Sequence, residues 1–132
     1  MHEYIEVKYI NERKGRGAFA KRDIKKGTMI EEGNVLLIPN NDYDKIYETT
    51  LYNYSFQWKD LRFNGEYKNM IPMSICNFIN HSYEPNTRYY YDYQRLLIKF
   101  KTIRDIKEGE EITTNYNASP NDKKPVWFEV DD

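Results

Sequence analysis

Cys76-Asn77-Phe78-Ile79-Asn80-His81-Ser82-Tyr83-Glu84-Pro85-Asn86 decides how this chain folds. It runs apolar through Ile75, Phe78 and Ile79 and then turns polar at Asn80, His81 and Ser82. The core face of a strand or helix would continue apolar there. Ligand sites, by contrast, set a few fixed polar groups on a hydrophobic wall. The reading is therefore an apolar strand, then a polar tripeptide, then a turn at Pro85-Asn86 whose backbone groups can face a ligand.

Two further segments flank this one. Near the start, in Lys14-Gly15-Arg16-Gly17-Ala18-Phe19-Ala20, residues 14–17 read as a glycine loop, because glycine permits tight turns and close approach to the main chain. It is not a dinucleotide fingerprint, since the third glycine and the following helix are missing. Near the end stands Gly109-Glu110-Glu111-Ile112-Thr113-Thr114-Asn115-Tyr116.

Between these landmarks the pattern is of short strands and turns. Tyr4–Ile10 alternates imperfectly, as a half-buried strand does. Lys25-Lys26-Gly27 turns into a strand over Thr28–Glu32, and Val35–Ile38 is a second strand ended by Pro39. Asn41-Asp42 offers an N-cap for one short helix over about Tyr43–Thr49. Tyr52, Tyr54, Phe56 and Trp58 alternate as one face of a strand, and Thr87–Asp92 with Arg95–Ile103 forms a hairpin across Asp92-Tyr93-Gln94-Arg95. Phe19–Ile30 and Lys101–Ile112 share Arg-Asp-Ile-Lys followed by a glycine turn, two similar strand–turn–strand corners. The expectation is one compact, mainly β domain with little helix.

Composition narrows the function. A chain of 132 residues makes one domain with a real core. Its formal charge of -1 opposes strong nonspecific nucleic-acid binding, which needs a basic excess. The charge is uneven: four acids and two lysines in the last sixteen residues leave that tail at -2 and residues 1–116 at +1. One cysteine excludes an internal disulfide, and with only His2 and His81 as histidines there is no multi-cysteine or histidine zinc cluster. No apolar run approaches the ~20 residues of a membrane span. The expectation is a soluble, intracellular protein of the cytoplasm or nucleus, or of a host cell if the source is a virus or bacterium. Thirteen tyrosines against six phenylalanines suit half-buried strands and pocket walls, where an apolar face carries a hydrogen-bonding tip.

The ordered trio of Gly15-x-Gly17, Asn80-His81-Ser82 with Pro85-Asn86, and Gly109-Glu110-Glu111-Ile112-x-x-x-Tyr116 resembles the signature of the SET-domain lysine methyltransferases, across most of the chain. The resemblance implies a SET-domain (β-clip) fold of several small sheets over 1–116, with a knot-like crossing near the C-terminus and a short tail over 117–132. It also implies S-adenosylmethionine as methyl donor and a protein or peptide lysine as acceptor, histones included. Carried over by position, Lys14, Gly15 and Arg16 contact the donor, Asn80 binds its amino-acid end and His81 its adenine through the backbone. Tyr116 is then the catalytic tyrosine and Tyr89 an aromatic of the lysine channel. Trp127 stands where some members close the donor pocket.

The chemistry of that family suits these residue types. Transfer from a sulfonium needs a neutral amine held in line, so orientation supplies much of the catalysis. Lysine is ordinarily protonated, because its amine in water titrates at about 10.4. A narrow aromatic channel disfavours the ammonium, and phenols orient the amine without the carboxylate that would stabilise its charge. The chain departs from the family in lacking the flanking cysteine-rich zinc segments, and Asn115 stands where Asp is frequent. A partner or a homodimer is expected to complete the substrate groove of so minimal a form. Residues 39–73 match no pattern. The competing readings are a non-catalytic binding module on a SET-like or β-clip scaffold, and a nucleic-acid binder stacking bases on tyrosines, which the charge opposes.

Overall fold

The computed structural model describes residues 1–60 and 62–126. Its strands are β1 (Ile5–Asn11), β2 (Gly15–Ala20), β3 (Met29–Ile38), β4 (Phe56–Gln57), β5 (Asn69–Pro72), β6 (Asn80–His81), β7 (Thr87–Asp92), β8 (Leu97–Thr102) and β9 (Glu111–Thr114). Hydrogen-bonded neighbours run β1-β2-β9-β7-β8-β3-β5-β4, with β6 beside β9. Most pairings are antiparallel. The exceptions are β6 on β9, Asn80 opposite Thr113 and His81 opposite Thr114, and Thr87 of β7 opposite Thr114. The polar tripeptide and the run ending at Tyr116 therefore lie side by side in parallel, near the C-terminal end of the fold.

Several elements differ from their sequence reading. The glycine pair lies in strand β2 rather than in a loop, and the turn before it is Glu12–Lys14. The strands expected at Thr28–Glu32 and Val35–Ile38 are one, β3, which pairs with β8 up to Asn34 and with β5 from Val35 onward. It runs straight through Gly33, where a Cβ would stand 2.7 Å from the Cβ of Ser74. Glycine there signals close packing instead of a turn.

The helix α1 spans Asn40–Ile46, three residues earlier than expected. Pro39 precedes it with φ already near the helical value, and no side chain caps it. Asn40 instead bridges Gly65 and Lys68. The alternation at Tyr52–Trp58 is not one strand: Thr50–Tyr54 is a 3-10 turn and only Phe56-Gln57 pair. The residues before Asn80 are likewise a 3-10 turn, Ile75–Phe78, whose start is capped by Ser74 Oγ accepting from Cys76 N. Arg62–Gly65 is a tight turn with left-handed φ of 63° at Phe63 and 53° at Asn64, and the 3-10 turns at Thr50–Tyr54 and Ile75–Phe78 mean that α1 is not the sole helical piece.

The two similar corners brace each other. Ile24 and Ile106 exchange both backbone hydrogen bonds, at 2.7 and 2.8 Å. Asp105 Oδ1 accepts from Lys26 N, Asp23 Oδ1 accepts from Glu108 N, each at 2.8 Å. Gly27 and Gly109 both take the left-handed conformation, φ +86° and +85°, that their turns require. Inside lies one continuous core. Ile98, Phe100, Ile112 and Met70 are fully buried, with Ile106, Trp58 and Ile24 against them. Truncating a side chain such as Phe100 to alanine costs about 3–5 kcal/mol in such a setting.

Candidate functional site

His81 is buried, and its ring packs edge-on to Tyr83 and tilted against Tyr116. The Tyr116 backbone N–H donates to His81 Nδ1 at 3.0 Å. A ring nitrogen that accepts carries no proton, so the neutral tautomer with hydrogen on Nε2 is the one this bond selects. The Tyr116 hydroxyl donates to the Ile79 carbonyl at 3.1 Å. The tyrosine is thus held at both ends by the segment around β6. Tyr89, buried on β7, donates its hydroxyl to the Tyr116 carbonyl at 3.1 Å. Sequence positions 79, 81, 89 and 116 meet at one point because β6 and β7 both lie parallel to β9.

That point forms the wall of a cavity of about 480 Å³. Tyr54, Phe56, Ile79, Tyr89, Tyr91 and Tyr116 contribute its aromatic and apolar lining. Phe56 meets Tyr89 edge-on at 5.3 Å, and Tyr89 meets Tyr91 at 5.8 Å. Burial pushes the Tyr89 hydroxyl up to about 12. Tyr116 also lies well above the ordinary tyrosine value, through burial first and the nearby Glu111 carboxylate second. Both phenols stay neutral at physiological pH. Asp122 is the sole carboxylate lining the cavity among the described residues, on the segment after Tyr116.

The glycine-strand residues and Asn80 do not line this cavity. They form a second, polar cluster on the neighbouring strands. Asn80 Nδ2 donates to the Arg16 carbonyl at 3.3 Å and to Glu111 Oε2 at 3.0 Å. Lys14 Nζ lies 3.9 Å from Glu111 Oε1, and the Arg16 guanidinium sits 4.6 Å from the centre of the Phe78 ring. Gly15 begins β2 with φ +69°. At Gly17 a Cβ would stand 2.6 Å from Ile10 Cδ1, 2.9 Å from Glu111 Oε2 and 3.0 Å from Asn80 Nδ2, so any larger residue would push these side-chain ends aside.

Lys14, Gly15, Arg16 and Asn80 therefore come together, as do His81, Tyr89 and Tyr116, with the Asn80–His81 strand linking the groups. Trp127 lies outside the described residues. Glu111 belongs to the cluster without having been singled out in the sequence; the one available signal was its place in the Gly109–Tyr116 run. The cavity residues before Asn69 were also missed, because Tyr54 and Phe56 read as strand positions. Asn115 is buried and donates from Nδ2 to the Asp122 carbonyl at 2.6 Å, a bond that an ionised aspartate cannot make. With Tyr83 and Asn117 both donating to the Lys124 carbonyl, it ties residues 117–124 to the cavity rim. Among the described residues no group of acidic, histidine or cysteine side chains can hold a metal, and no helix is long and apolar enough to cross a membrane.

Residues 15–117 match the model of the SET domain. The chain is 31% identical over 119 residues to a Schizosaccharomyces pombe histone-lysine N-methyltransferase specific for H3 lysine-37, covering 89% of this chain and 73% of that protein. It is 35% identical to a Plasmodium falciparum variant-silencing SET domain-containing protein over 86% of this chain, which is 5% of that much longer relative. Among solved structures, an active polycomb repressive complex 2 in the basal state superposes with a TM-score of 0.68 at 24% identity, over 87% of this chain and 15% of the other. That last likeness is one of fold.

Proposed function

As this chain belongs to the SET-domain family, we propose that it is an S-adenosylmethionine-dependent protein-lysine N-methyltransferase. The supporting observation is Tyr116, fixed at its amide by His81 and at its hydroxyl by Ile79, on the wall of a tyrosine-lined cavity beside the Lys14–Arg16–Asn80 cluster. The fission-yeast relative is named for methylation of a histone lysine, and histone tails are the first substrates to try.

The polar cluster suits the donor's amino-acid end. Asn80 Oδ1 makes no hydrogen bond to any described residue and is free to accept from an ammonium, while Lys14 stands near enough to meet a carboxylate. Arg16 stacked on Phe78 offers a flat wall beside them. When bound, S-adenosylmethionine supplies an electrophilic methyl group on a sulfonium.

The cavity residues do the rest. A lysine side chain entering it is flanked by neutral phenols and aromatic faces, with Asp122 the one carboxylate among the described lining residues and Glu111 near Tyr116 from outside the cavity. Desolvation there favours the free amine over the ammonium. Hydroxyls fixed by their own hydrogen bonds orient it, and orientation is where most of the rate is gained.

Calorimetric titration with S-adenosylmethionine tests the reading. We expect micromolar binding that Asn80→Ala weakens at least tenfold; no heat at millimolar donor would leave a binding module without methyltransferase chemistry.

A further inference from the structure

We infer that Glu111 is a positioning residue: it fixes the Asn80 side-chain amide so that its oxygen, and not its nitrogen, faces the cationic amino group of the methyl donor. The inference rests on the donor reading above and adds a residue to it.

A primary amide has nearly the same shape in either orientation, so something must choose which end faces a ligand. Here both amide protons of Asn80 have acceptors. One is the Arg16 carbonyl at 3.3 Å and the other is Glu111 Oε2 at 3.0 Å. Turning the amide over would set Oδ1 against two oxygens, one of them charged. Oδ1 is left without a described partner, on a side chain that is only partly buried.

The neighbourhood is built around this contact. Gly17 leaves the space in which the two side chains meet, and its missing Cβ would lie 2.9 Å from Glu111 Oε2 and 3.0 Å from Asn80 Nδ2. The second Glu111 oxygen faces Lys14 Nζ at 3.9 Å. Strand register keeps the carboxylate in reach, because Glu111 pairs with Phe19 on one side while β6 pairs with β9 at Asn80–Thr113 on the other. With Asn80 on one oxygen of Glu111 and Lys14 near the other, an amino acid in its zwitterionic form would set its ammonium to Asn80 Oδ1 and its carboxylate to Lys14.

The test compares two probes, S-adenosylhomocysteine and 5′-methylthioadenosine, which keeps the nucleoside and lacks the amino-acid end. Glu111→Ala removes the acceptor, Glu111→Asp keeps the charge but withdraws the acceptor, and Glu111→Gln keeps an acceptor oxygen without the charge. We expect the alanine and aspartate variants to lose about tenfold in S-adenosylhomocysteine affinity, the worth of one charge-assisted hydrogen bond. Their affinity for 5′-methylthioadenosine should stay unchanged, and glutamine should behave as wild type with both probes.

Should alanine at 111 prevent folding, the aspartate and glutamine pair carries the same comparison. Equal loss with both probes would make Glu111 merely structural. Loss in Gln with retention in Asp would assign the effect to charge and not to amide orientation. Either result overturns the proposal. If wild type binds no S-adenosylhomocysteine at millimolar concentration, the donor reading itself has failed, an outcome distinct from wild-type binding that Glu111 variants leave untouched.

Discussion

Tyr116 ties together segments distant in sequence: its amide donates to His81, its hydroxyl to Ile79, and its carbonyl accepts from Tyr89. Tyr116→Phe removes only the hydroxyl, so donor binding should survive while kcat falls about 10²-fold, the usual loss for one positioned polar contact in an active site. Single-turnover kinetics beside a binding titration separates the two. On the proposed reading, in which Tyr89 lines the lysine channel, Tyr89→Phe should change how many methyl groups are added, toward more highly methylated lysine, read by mass spectrometry.

The raised phenols also set a pH window. A tyrosine whose folded pKa exceeds its unfolded value of about 10 contributes stability that is full below pH 10 and is lost as pH climbs toward the folded value. For Tyr89 that value is about 12. Thermal midpoints should therefore hold from neutral pH to about 9 and then fall steeply. A midpoint unchanged at pH 11 would contradict the burial of these hydroxyls. At this scale the break in an apolar run singled out Asn80 and His81, while Tyr116 came from the family resemblance alone; the structure brings all three together. The sequence could not expose the bond from Tyr116 to His81 or the part played by Glu111, since both depend on which strands pair.

Among elements, β6 and β9 carry the site, and Asn86 locks them to their surroundings. It is fully buried, donates to the Glu111 carbonyl at 2.8 Å and accepts from Thr113 N at 2.9 Å. Asn86→Ala strands both backbone groups in the interior, which should cost about 3 kcal/mol and lower the thermal midpoint by many degrees. Gly33→Ala should be destabilising too, by about 1–3 kcal/mol, because β3 would be pushed from Ser74. A midpoint equal to wild type would show that Ser74 yields freely. Strand β1, the β7–β8 hairpin and both glycine corners were legible, since alternation and turn chemistry are local. Gly17 and Gly33 were opaque for the opposite reason: each serves a contact with a segment distant in sequence. The aromatic alternation at 52–58 misled because Tyr52 and Tyr54 face the cavity from a 3-10 turn, Phe56 faces it from the two-residue strand β4, and Trp58 packs into the core.

For the molecule as a whole, one sheet path curls so that the chain's last described strand is stitched between its second strand and the β7–β8 hairpin. The mutual brace of the Asp23 and Asp105 corners holds that closure. Removing both carboxylates should cost about 1–2 kcal/mol without touching the site, visible as a lower midpoint with unchanged donor affinity. The family signature made the closure expected, whereas residues 39–73 became intelligible only as the cavity's outer wall. What that wall encloses decides the function. Purified protein with S-adenosylmethionine carrying a labelled methyl group, mixed with core histones, gives the most direct test by mass spectrometry of the acceptor. Methyl-lysine formed by wild type and nearly absent with Tyr116→Phe is the predicted result; no methyl-lysine from a protein that binds the donor, or equal yield from the variant, would contradict it.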